Sequence, residues 1–108
     1  MERTLAWPDS SKVDPARRAA EMVDDAVTSI RNRGHTREHA LRVAARELGI
    51  RFRRARALLY GDPVTVFDEE LASIRAAYLR HLDIEAAHLA ARLNAVRERC
   101  RSISEEEP

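Results

Sequence analysis

Residues 35–61 read HTREHALRVAARELGIRFRRARALLYG. Thr36 is a capping residue, and Leu41, Ala44, Ala45 and Leu48 follow at three- and four-residue spacing, which predicts a helix that Gly49 closes. Ile50 follows the turn. A second short helix is predicted over 52–60, with Ala55, Leu58 and Leu59 inward, ended by Gly61, Asp62 and Pro63. Between positions 51 and 56 stand Arg51, Arg53, Arg54 and Arg56, so a tight turn leads into an arginine-rich helix.

Upstream, Asp14 is placed as an N-cap and Pro15 as the first helical residue, where the missing amide costs nothing. The helix predicted from there to about Asn32 buries Ala19, Met22, Val23, Ala26, Val27 and Ile30 and turns Glu21, Asp24 and Asp25 outward, and Gly34 stops it. Residues 1–13 read as a loose arm, in which Pro8, Asp9, Ser10 and Ser11 favour turns and Leu5 and Trp7 are the anchors that pack onto the helical body. Together, residues 14–63 form a small helical head.

Downstream, residues 64–107 contain neither proline nor glycine. Asp68 is placed to cap a helix whose first turn carries Glu69 and Glu70, acids suited to the positive end of a helix dipole. Its first turns present Leu71, Ile74 and Tyr78; beyond them Leu79, Leu82, Ala86, Leu89, Leu93, Val96, Cys100 and Ile103 alternate in steps of three and four. Such spacing is a coiled-coil seam. A helix reaching Arg101 spans about 50 Å, too long to bury this seam on a three-helix head, so the expected partner is the same helix of another copy. The long segment is drawn at 64–104 and an acidic tail at 105–108.

The charges flanking the seam bear on orientation. With Leu79 as heptad position a, Asp83, Ala90 and Arg97 hold e and Glu85, Arg92 and Arg99 hold g. A parallel pair sets Arg92 against Arg97 and offers no attraction. An antiparallel pair centred near Ala91 sets Asp83 against Arg97 and Glu85 against Arg99, with Arg92 near its own copy. Exposed pairs contribute only about 0.2–1 kcal/mol each, so both orientations stay open with the charges favouring the antiparallel one.

The composition agrees with an all-α chain: 108 residues suffice for one modest core, 44% are hydrophobic and 34% charged, and only 5% are aromatic. Net charge is +1, but it is unevenly placed. Residues 31–60 hold nine arginines against Glu38 and Glu47, while both flanks are net acidic. Cys100 is the single cysteine, which excludes an internal disulfide and a multi-cysteine zinc site and suits a reducing cytoplasm, the expected location. There is no apolar run of about 20 residues to span a membrane, and the segment MERTLAWPDSSK has no signal-peptide core.

The pattern of 41–60 resembles the helix-turn-helix superfamily of bacterial and phage transcription regulators. Counting Leu41 as the first of twenty positions, Ala45 takes the fifth, where the helices nearly touch, and Gly49 the ninth, where the turn needs positive φ. Ala44, Leu48, Ile50, Ala55 and Leu58 fill the buried places. The match covers about a quarter of the chain and departs from the usual pattern at Arg51 and Phe52, where many regulators carry Ser or Thr and a polar residue.

The resemblance implies a DNA-binding regulator, often a repressor, that reads an inverted repeat of double-stranded DNA as a homodimer through helix 52–60. Arg51, Arg53, Arg56 and Tyr60 then read bases, since the arginine fork spans guanine O6 and N7, and Arg37, Arg42, Arg46 and Arg54 hold the phosphate backbone. Phe52 is alternatively a hydrophobic anchor. Two other expectations are a phage-type small terminase subunit, which joins such a motif to an oligomerising helical region and forms rings, and a non-DNA helical adaptor whose arginines are merely solvated.

Nothing points to catalysis. There is no glycine-rich phosphate loop, no nucleophile with a base and no paired acidic site, so no enzyme, cofactor, metal or small-molecule substrate is expected. His81, Glu85 and His88 lie within two turns of the long helix but lack a further ligand, and the histidines are expected to be solvated. His35 and His39, four apart beside the head, are placed for a phosphate contact.

Overall fold

A computed structural model describes residues 14–106. The expectations for the 1–13 arm, Trp7 included, lie outside these residues. Within them the chain is all-helical: α1 (Pro15–Arg31), α2 (Arg37–Leu48), α3 (Phe52–Leu59) and α4 (Asp68–Glu106). Three short helices precede one long one.

The caps explain most of the boundaries. The Thr36 hydroxyl accepts the His39 amide at 3.2 Å and opens α2. Gly49 closes α2 at φ 74°, with the Ile50 amide donating to the Ala45 carbonyl at 3.0 Å and the Gly49 amide to that of Arg46 at 3.2 Å. This crossed pair satisfies the last carbonyls of the helix, and the left-handed residue it requires is the reason glycine stands there. Two expectations are corrected. Asp14 occupies the cap position of α1, but its side chain makes no capping bond and only its carbonyl is used, by the Arg18 amide at 3.0 Å. The long helix runs on past Arg101 through Glu106, taking in Glu105 and Glu106 of the expected acidic tail.

The core lies where α1, α2, α3 and the first half of α4 meet. Val23 and Ile30 from α1, Leu48 from α2 and Ile74 from α4 are its largest fully buried side chains. Ala40, Ala44 and Ala45 are buried along α2 and Ala55 along α3, small residues that let these helices approach closely. Val66 is buried from the linker before α4, and Ile50, Phe52 and Leu59 pack half-buried around this centre.

Helix α4 changes environment along its length. Ile74, Ala77, Tyr78 and His81 are buried on the head, and beyond Glu85 every described residue is exposed. The apolar residues Leu79, Leu89, Leu93, Val96 and Ile103 are about half exposed, with Leu79 at 52% and Leu89 at 54%. The molecule measures 64 × 40 × 19 Å, its long dimension accommodating the roughly 58 Å of a 39-residue helix. No helix among the described residues is long and apolar enough to cross a membrane.

Candidate nucleic-acid interface

Helix α3 is held from beneath by Ala55 and Leu58, both buried, and by Phe52 and Leu59 at its edges. With these positions turned in, Arg53, Arg56 and Tyr60 fall on the outer face at three- and four-residue spacing. Arg51, at the N-cap position with no side-chain capping bond, lies exposed at the start of the helix. Three of the four residues expected to read bases, Arg53, Arg56 and Tyr60, therefore share one exposed face, and Arg51 is exposed at the N-terminal end of the helix, off that face.

Tyr60 organises the end of that surface. It is 53% exposed, and its hydroxyl accepts from Arg37 Nε at 3.2 Å. The Arg37 guanidinium lies 5.4 Å from the ring centre and that of Arg56 lies 5.5 Å away. Two cations thus share one aromatic ring, a contribution of about 0.5–1 kcal/mol each at an exposed site. Arg37, from the first turn of α2, joins the outer face of α3 in one concave patch with Glu38, Leu41 and Phe52.

The four arginines expected on the phosphate backbone divide. Arg37 and Arg46 are exposed. Arg42 is exposed but lies over the Phe52 ring at 4.4 Å and pairs with Glu38 at 3.3 Å. That contact makes Phe52 the hydrophobic anchor of α3, its ring half-buried on the core.

Arg54 is turned away from this use. Its Nε and one terminal nitrogen donate to the two Glu70 oxygens at 2.5 and 2.7 Å, and its terminal nitrogen also donates to the Thr65 carbonyl at 2.6 Å. The bond to Glu70 raises the Arg54 pKa further, against a smaller opposing effect of desolvation. A bidentate pair of this kind fixes geometry, and here it staples α3 to the linker and the start of α4. Arg54 is a structural clamp in this molecule.

Further polar contacts join the head to α4. Arg33, just past α1, pairs with Glu85, and that bond, more than any other, holds the Glu85 carboxyl below its ordinary pKa while burial opposes it. The Tyr78 hydroxyl donates to Asp25 at 2.6 Å; burial first and this bond second raise its pKa. His81, expected to be solvated, is instead 3% exposed, and its Nδ1 donates to the Glu47 carboxylate at 2.6 Å. It faces α2 because it lies one turn beyond Tyr78 on the buried stripe of α4. These pairings between distant positions carry no local spacing signal, which is why the sequence reading missed them.

The +7 of residues 31–60 is redistributed accordingly. Glu70 and Glu85 take up Arg54 and Arg33, and Glu47 turns inward to His81, so the positive surface that remains is Arg31, Arg37, Arg46, Arg51, Arg53 and Arg56, with Arg42 partly compensated. His35 and His39 stack with ring centres 4.8 Å apart at the start of α2. Among the described residues no group of three or more His, Cys, Asp or Glu is arranged to hold a metal ion. No protein-family model matches the chain, and neither a curated protein nor a solved structure shows significant similarity to it, so a functional reading rests on the site's own chemistry.

Proposed function

We propose that this chain is a DNA-binding transcriptional regulator, a repressor in the simplest form, that presents α3 to the major groove and acts as a homodimer on an inverted repeat. The observation that carries the reading is the coincidence, along one short helix and its C-cap, of Arg53, Arg56 and Tyr60 outward with Ala55 and Leu58 buried beneath. An eight-residue helix is about 12 Å long, comparable with the width of the B-DNA major groove. Arg53 and Arg56 at its middle read base edges with Arg51 at its start, and Tyr60, held between Arg37 and Arg56, closes its end. Arg37, Arg42 and Arg46 along α2 contact phosphates beside the groove. Dimerisation is supported by the exposed seam from Leu79 to Cys100, which the head leaves uncovered.

Selection of bound duplexes from a random pool, followed by titration of the chosen site, tests the reading. An inverted repeat is expected, with affinity falling steeply as salt rises because phosphate contacts release counterions. Arg53→Ala with Arg56→Ala should lower affinity for that site by about 30-fold or more, at about 1–3 kcal/mol per base-contacting arginine. Unchanged affinity in that double variant, or no duplex selected, overturns the proposal.

A further inference from the structure

Heptad positions of α4 relate the seam to the head. With Leu79 at a, the buried Tyr78 and the half-buried Glu85 hold g, the buried Ile74 and His81 hold c and the buried Ala77 holds f, so the head covers the back of α4 toward its g flank. The opposite flank, with Asp83, Ala90 and Arg97 at e, is exposed. Between them run the exposed a and d positions. On this seam side α1 and α4 leave a groove of about 470 Å³, walled by Arg18 and Met22 from α1 and by Leu71, Arg75 and Leu79 from α4. A second recess, of about 420 Å³, follows it along the same two helices to Leu82 and Leu89. Groove and seam form one continuous track.

We propose that the second copy lies antiparallel on this track, and that its C-terminal turn docks in the groove between α1 and α4. The inference rests on the dimeric reading given above. Centring the pair near Ala91 sets Leu79 on the partner's Ile103, Leu82 on the partner's Cys100, Ala86 on the partner's Val96 and Leu89 on the partner's Leu93. Asp83 then meets the partner's Arg97, and the Arg33–Glu85 pair meets the partner's Arg99. One turn further the described helix ends at Glu106, and the groove it reaches carries the exposed Arg75 on its wall, with Asp68 further along. Apolar seam and acidic end thus meet an apolar track and Arg75 in the same order. A parallel pair leaves the partner's Ile103 about 36 Å away along the helix, at 1.5 Å per residue, and the groove vacant.

The g-flank position of the head adds a second reason. In an antiparallel pair the two g flanks share one face, whereas in a parallel pair they lie on opposite faces. The antiparallel pair therefore carries both heads on the same side, about 40 Å apart along the helices by their rise per residue. That is close to the roughly 34–36 Å between successive major-groove entries on one face of a duplex.

The register supplies its own crosslink. Leu82 is 38% exposed, and Cys100 is an exposed free thiol, so Leu82→Cys in the full chain creates a pair that meets only between antiparallel copies. Under mild oxidation this variant should form a covalent dimer rapidly, Leu82→Cys with Cys100→Ser should not, and the wild type should stay uncrosslinked. Rapid Cys100–Cys100 crosslinking of the wild type, or crosslinking of Leu82→Cys with Cys100→Ser, overturns the orientation and leaves the dimer standing. A dimer by sedimentation that fails to crosslink in Leu82→Cys overturns the register, and a monomer overturns the dimeric reading itself. For the groove, Arg75→Glu should weaken the dimer about tenfold through its two symmetric contacts, and Glu106→Lys in that background should restore it. An unaltered dimer in Arg75→Glu overturns the docking.

Discussion

Ile74 and Leu89 lie on the same helix, yet one is 1% exposed and the other 54%. The difference is what each half of α4 has beside it. The first half is the fourth wall of the head, tied by Arg33–Glu85, Tyr78–Asp25 and His81–Glu47 as well as by apolar packing. The second half has the same kind of apolar spacing, and beyond Glu85 every described residue of it is exposed. Periodicity alone records that a face will be covered and is silent on what covers it.

The largest expected effect separates the two halves directly. Leu48→Ala in the head should cost about 2–5 kcal/mol of stability as a cavity opens in the core, whereas Leu89→Ala should change unfolding of the dilute chain by less than about 0.5 kcal/mol. Denaturant melts at low concentration measure both, and equal losses would show that the distal half is packed within the monomer. Gly49→Ala comes next. A Cβ at φ 74° meets no neighbouring atom but leaves the left-handed conformation strained, for a loss of about 1–2 kcal/mol in the same melts.

A smaller effect reports on the junction between the halves. Arg33 holds the Glu85 carboxyl below its ordinary range, so the stability this pair contributes is full above the unfolded carboxylate pKa and is lost as pH falls through the lowered folded value. Wild type should therefore exceed Glu85→Gln by up to about 1 kcal/mol at neutral pH, with the gap closing in acid. The smallest effect is expected at Ile84, 53% exposed, off the seam and past the buried stretch that ends at His81. Ile84→Ser should leave stability within about 0.5 kcal/mol and self-association unaltered; a weakened dimer would move the contact face off the a and d positions.

Local signals made the head legible. Thr36, Gly49, Gly61 and the spacing of Leu41, Ala44, Ala45 and Leu48 each act within a turn or two of their own position, and the helices stand where they indicate. The exposure of Arg53, Arg56 and Tyr60 followed from the burial of Ala55 and Leu58 on the same short helix. Arg54 was not legible, because its fate depends on Glu70, which reaches it only after the chain has turned through the linker. His81 was misread for the same reason: its distance from Glu47 in sequence hides a 2.6 Å contact in space. A side chain's own helix says which way it points, and only the fold says what it finds there.

The unbroken run of α4 from Asp68 to Glu106 makes it a gear shaft between the head and the distal seam. One residue inserted after Glu85 would turn everything beyond it by about 100° relative to the head, while a whole heptad would keep the face to within about 20° and push the seam out by about 10 Å. Variation in the length of this helix is therefore tolerable only in near-whole heptads. On the antiparallel dimer proposed above, each heptad added beyond the head would move the two heads about 10 Å further apart along the shaft.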